Sequence, residues 1–474
     1  MYIKTSAVAV TLLQIAGFVQ AATSTTKSTS TASSTKFVLA DYWKSFNSKV
    51  DPLNITIAKI PQTTSLDGAT QCKWYEPPAN FDFKESEWPN LWETATSNGM
   101  NETAEFKRVY NAIDWSKAPN IKVRKIGSDG SLNMAGYDQN NDPDCWWSAS
   151  TCTKPKQEGI NEDIYTCPEP ETWGLTYDDG PNCSHNAFYD YLEAEKIKAS
   201  MFYIGSNVVN WPYGAQRGQK AGHHIADHTW SHQLMTTLTN TEVLAELYYT
   251  QKAIKMVTGV TPRHWRPAFG DVDNRVRWIA TQLGLTTILW DLDTDDWAAG
   301  STETVSTVKK TYEDYIAMGA NGTFKNSGQI TLTHEIDDTT MTLAMEFLPK
   351  IRKAYKNVLD VATCMNITNP YYEDNVVFAP FGAAAVSNTS STASNTAASS
   401  TTIDITLPSA SSASSAAVPV SSASSAAVSA SHSATASSSV AAVAAVQNAE
   451  SSAGIQLTSN SMIVAAFIVA AYLI

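Results

Sequence analysis

From residue 167 onward, apolar and polar positions along the chain fall into regular blocks. Residues 172–177 and 199–204 read as short buried strands, with residues 185–195 as a helix between them. The clearest helical pattern runs over 242–257, with Thr241 as its N-cap and Gly259 as its stop. Strands at 286–290 and 330–333 follow, separated by a helix at 304–318. This alternation predicts a mostly parallel sheet or an α/β barrel, whose active sites form where strand C-terminal ends meet loops. Most of the polar motifs below fall at those strand ends.

Residues 37–166 have no repeat and no catalytic spacing, although they hold seven of the 14 tryptophans. Trp146 and Trp147 have the area to stack on sugar rings, but burial in a core is the expectation for such side chains. At the N-terminus, Lys4, an apolar run over 7–19 and the small residue Ala21 form a secretory signal. From about 383 to 458 the chain is almost entirely Ser, Ala, Thr and Val, too poor in bulky apolar surface to fold, and reads as a solvated stalk. The apolar tail 462–474 is short for a bilayer span. Preceded by Ser451, Ser452, Ala453, Gly454 and a polar spacer, it matches a glycosylphosphatidylinositol (GPI) attachment signal better than a tail-anchored helix. The expected division is therefore a signal peptide (1–21), an N-terminal extension (22–166), a catalytic domain (167–380), a stalk (383–458) and a GPI signal tail (459–474).

Cys72, Cys145, Cys152, Cys167, Cys183 and Cys364 are even in number and contain no CxxC pair. They favour three disulfides in an exported protein over a structural zinc cluster, with about 15 pairings possible. Sequons at Asn54, Asn101, Asn182, Asn321, Asn366 and Asn388 are candidate glycan acceptors on exposed loops. A net charge of −13 without a basic cluster argues against a nucleic-acid partner.

Seven of the eight histidines lie between His185 and His334. His228 and His232 are four apart; on a helix they would share one face and supply two ligands to a cation. The run Thr176-Tyr177-Asp178-Asp179-Gly180-Pro181 places adjacent acids at a strand end. Adjacent acids repel unless a cation or shared proton is present, and neighbouring side chains point different ways. One can therefore bind a metal while the other faces the water that attacks. The acids at Asp291, Asp293 and Asp295 lack the glycine and glutamate of a calcium loop.

With these pieces in order, residues 172–357 resemble the polysaccharide deacetylase domain of carbohydrate esterase family four, and within it the fungal chitin deacetylases. The resemblance implies a distorted (β/α) barrel and a metal-dependent amide hydrolase that turns chitin into chitosan and acetate. Matched motif by motif, it implies Asp178 as general base and Asp179, His228 and His232 as ligands of one divalent ion, zinc by preference or cobalt. His223 is expected to be structural. In Arg266-Pro267-Ala268-Phe269-Gly270, Arg266 would orient Asp178 and the Phe269 N–H would meet the oxyanion, although Ala268 and Phe269 replace the usual Pro and Tyr. Asp296 would hold His334, Trp297 would wall the acetyl pocket, and Leu332 would face the methyl group. His334 would protonate the departing nitrogen. Glu335 stands where the family usually has Asp.

The implied partners are chitin or its oligomers within cell-wall polysaccharide, and a membrane through a GPI anchor. Deacetylation of peptidoglycan or xylan is the alternative activity. A non-catalytic wall protein is the alternative class, disfavoured because no member of the set is lost.

Overall fold

The computed structural model describes residues 37–61 and 65–383. The expected signal peptide, the stalk beyond Ala383, the terminal tail and Asn388 lie outside the described residues. The core is a curled parallel sheet. Its strands are β1 (Thr172–Gly180), β2 (Ser200–Tyr203), β3 (His224–Asp227), β4 (His264–Trp265), β5 (Thr286–Thr287), β6 (Leu292–Asp293), β7 (Gln329–Leu332) and β8 (Asn357–Leu359). They run in the order β5-β4-β3-β2-β1-β7-β6, and β8 pairs with the first residues of β1. Every pairing between them is parallel. Covered on both faces, β1, β2, β3 and β7 are buried almost throughout, so they read as continuous runs rather than alternating ones. This is the α/β barrel architecture expected from the block pattern.

Two boundaries differ from expectation. The long helix is Asn240–Thr258 and is capped by Thr239, not Thr241. Thr239 Oγ1 accepts the Glu242 N–H while the Glu242 carboxylate takes the Thr239 N–H, a reciprocal capping box that outweighs a lone Thr at 241. Gly259 ends the helix at φ 84, as expected. The strand expected over 286–290 is regular only at Thr286–Thr287; beyond it Ile288 keeps a single parallel bridge to Ile164, while the carbonyls of Ile288 and Leu289 accept from Arg266.

The segment before the barrel packs against it. Trp43 stacks on Tyr248 at 5.6 Å and Phe106 on Tyr249 at 6.2 Å, covering the helix Asn240–Thr258. Three disulfides form, Cys72–Cys183, Cys145–Cys152 and Cys167–Cys364, the first tying the extension to the loop after β1. Trp146 and Trp147 are buried, as expected for their area. Of the sequons, Asn54, Asn321 and Asn366 are exposed. Asn101 and Asn182 are half-buried instead, and the Asn182 side chain is occupied by the Ser184 N–H.

Candidate active site

At the C-terminal end of β1 the pairing with β2 shifts between Asp178 and Gly180, and Asp179 takes φ 75. A regular strand would send the two carboxylates to opposite faces. This bulge turns both to one side. Asp178 Oδ2 comes within 3.6 Å and Asp179 Oδ1 within 3.4 Å of His228 Nε2. The expectation that the two acids point apart is thus corrected: they converge on one imidazole.

The histidine pair is not helical, contrary to the spacing argument. His228 directly follows β3 and His232 lies in the loop beyond, where Thr229 (φ 65) and His232 (φ 56) both take left-handed backbone. Such strain in residues that are not glycine persists only where surrounding contacts enforce it. The loop brings His232 Nε2 to 3.2 Å from Asp179 Oδ1. Asp179, His228 and His232 each offer an atom to one cluster no wider than 4.8 Å.

The donor set fits a divalent cation. Asp179 Oδ1 is buried and has no hydrogen-bond partner among the described residues. His228 Nδ1 lies 2.8 Å from the Arg266 carbonyl, which can only accept, so Nδ1 carries a proton and Nε2 is the atom turned toward the carboxylates. Burial lowers the His232 pKa to about 4, which keeps that ring neutral. Burial also works to raise Asp179, but its imidazole neighbours outweigh it and hold the carboxyl well below the usual range. An ionised carboxylate facing neutral imidazole nitrogens is the protonation state a metal requires.

Two further buried pairs flank this cluster. Arg266 donates through Nη1 to Asp178 Oδ1 at 2.7 Å and to Thr176 Oγ1 at 3.0 Å, which leaves Asp178 Oδ2 on the His228 side. Its other two nitrogens reach main-chain carbonyls, so each nitrogen of this buried guanidinium has an acceptor. His334 follows β7 and bridges to Asp178 through the main chain. Asp296 Oδ1 takes His334 Nδ1 at 2.6 Å and Oδ2 takes the His334 N–H at 2.8 Å. Burial works to lower the His334 pKa, but Asp296, with help from Asp179 and Asp178, raises it to about 10.

Trp297, next to Asp296 in the chain, is half-buried, and Leu332, two residues before His334, is buried. Phe269 takes φ 58 and sets its ring 4.5 Å from that of His232; its N–H has no partner among the described residues. His223 is buried, and its Nδ1 accepts the Ala199 N–H at 3.2 Å, a structural role.

The sequence profile of the family described as "Polysaccharide deacetylase" matches residues 165–288. A chitin deacetylase of Amylomyces rouxii is 62% identical over 79% of this chain and 85% of its own. The chain belongs to the polysaccharide deacetylase family. Chitin deacetylase 2 of Cryptococcus neoformans is 47% identical over 66% of this chain and 69% of its own. Among solved structures, the chitin deacetylase of Colletotrichum lindemuthianum is 22% identical, with a TM-score of 0.42 over 45% of this chain and 96% of that one.

In this polysaccharide deacetylase, sequence reasoning missed the braces behind the histidine loop. Trp88 of the extension lies parallel to Trp230, between the two histidines, with centroids 6.1 Å apart, and the Trp230 indole donates to the Asn90 carbonyl at 2.9 Å. Glu246, buried in the helix Asn240–Thr258, accepts the Ala95 N–H, the Ser231 N–H and the Ser231 hydroxyl at 2.8 to 2.9 Å. Burial pushes this carboxyl up to about 7. A glutamate inside the apolar run 243–247 was the available signal. Glu335, the departure from the usual Asp, is buried against His185 Nδ1 at 2.8 Å and the Tyr189 hydroxyl at 3.1 Å. The longer acid thus has partners of its own.

Proposed function

We propose that this protein is a metal-dependent amide hydrolase that removes N-acetyl groups from chitin, giving chitosan and acetate. The observation that carries the reading is the convergence of two buried pairs, Asp178 with Arg266 and His334 with Asp296, on the Asp179, His228 and His232 cluster. A carboxylate oriented by a guanidinium and an imidazole held by a carboxylate are the parts that a general base and a general acid need. Relatives named for chitin support that substrate over peptidoglycan or xylan. The complete set of polar groups speaks against a wall protein that only binds.

Asp179, His228 and His232 would hold the ion, zinc by preference, with cobalt able to replace it because two imidazoles and a carboxylate discriminate little between them. When bound, a divalent ion polarises the acetamide carbonyl and lowers the pKa of water. Asp178, fixed through Oδ1 by Arg266, accepts the proton of the attacking water at Oδ2. The unpaired Phe269 N–H offers a hydrogen bond to the oxygen on which charge develops. His334, kept protonated by Asp296, donates from Nε2 to the departing nitrogen. Leu332 and Trp297 wall the acetyl group.

The three disulfides support an oxidising compartment. With the secretory signal, the stalk and the terminal GPI signal, the protein would work at the cell wall while anchored to the membrane. Acetate release from chitin oligomers, measured with metal content on the same sample, tests the reading.

A further inference from the structure

Trp92, in the extension, is 44% exposed and has φ 58. A bulky residue in left-handed backbone is an outlier, and here it keeps a large apolar ring in water. Two hydrogen bonds hold it: its N–H donates to Ser206 Oγ at 2.9 Å and its indole N–H to Asn207 Oδ1 at 2.9 Å. Both acceptors lead to the active site. Ser206 Oγ donates to the Trp230 carbonyl, between the two histidines, at 2.7 Å, and Asn207 Nδ2 donates to the Asp179 carbonyl at 2.9 Å.

The indole nitrogen is therefore no more than about 8 Å from the Asp179 carbonyl, since only one carboxamide and two hydrogen bonds lie between them. Trp211 backs the ring at 5.9 Å. With its only polar atom already used, the orientation of the ring is fixed and its apolar surface is left for a ligand. A β-linked N-acetylglucosamine unit carries its substituents equatorially, so each face of its ring is a patch of C–H groups that suits an aromatic plane.

We propose that Trp92 is a stacking platform for the sugar unit next to the one being deacetylated, so that the N-terminal extension selects chains over single sugars. This rests on the chitin deacetylase reading. The test is kcat and KM for the chitin pentamer with wild type, Trp92→Ala and Trp92→Phe. Trp92→Ala should raise KM about 3- to 10-fold, the order expected for losing one aromatic contact, with kcat within about 2-fold, and Trp92→Phe should recover most of the loss. An unchanged KM in Trp92→Ala, or a loss confined to kcat, overturns the platform. Pentamer binding by calorimetry to His334→Ala, with and without Trp92→Ala, separates the two claims. If wild type releases no acetate while binding still weakens with Trp92→Ala, the deacetylase reading fails and the platform stands. If acetate is released and binding ignores Trp92, the platform alone fails.

Discussion

Replacing Asp296 by Asn should move the alkaline limit of activity toward neutral pH. Asp296 is buried, and its two oxygens hold His334 at Nδ1 and at the main-chain N–H. With charge centres about 4 Å apart and an effective dielectric near 20, the attraction is about 4 kcal/mol, or about 3 pKa units. Asn removes that charge. It also has one carbonyl oxygen where Asp had two acceptors; if that oxygen keeps the main-chain N–H, the amide N–H faces Nδ1 and favours the neutral ring. The proposed active form carries the proton, so activity falls as pH rises through the His334 pKa. From about 10 in the native protein, that value should drop to roughly 7 in the variant. The assay is kcat/KM for acetate release from chitin oligomers between pH 5 and 11, with metal content checked. An alkaline limb that stays in place in Asp296→Asn would refute the claim that Asp296 maintains the acid.

Asp179→Ala, His228→Ala and His232→Ala should each lose metal and activity together, and elemental analysis showing full occupancy in all three would remove the ligand assignment. His334→Ala should cost on the order of 10²- to 10⁴-fold in kcat with metal retained, the usual worth of general acid–base help. Arg277→Met should destabilise by about 3–5 kcal/mol in denaturant titration, because it strands Asp163, which is buried and held by Arg277 at 2.7 to 3.0 Å; unchanged stability would show the pair to be dispensable. Phosphatidylinositol-specific phospholipase C should release the mature protein from membranes, and recovery of the intact 462–474 peptide would instead indicate a retained hydrophobic tail.

Four of the eight strands, β1, β2, β5 and β7, were legible because buried parallel strands give short apolar runs, and several motifs sit at their ends; β3, β4, β6 and β8, two to four residues long, were not. Geometry at the site was less legible. Asp178 and Asp179 look divergent by strand periodicity, and only the bulge with φ 75 at Asp179 brings them together. His228 and His232 look like a helical pair, yet a strained loop converges them. Both features depend on long-range support that leaves no periodic trace. The extension was opaque for the same reason. Trp88, Asn90, Trp92 and Ala95 act through a few contacts each to residues more than 100 positions away, in a segment with little regular structure.

The most direct test is acetate release from chitin oligomers by wild type and Asp178→Asn, each assayed for bound metal. Asp178 as the general base requires release by wild type with about one divalent ion per chain, and a loss of at least 10²-fold in Asp178→Asn with the ion retained. Wild-type acetate release from Asp178→Asn would contradict it.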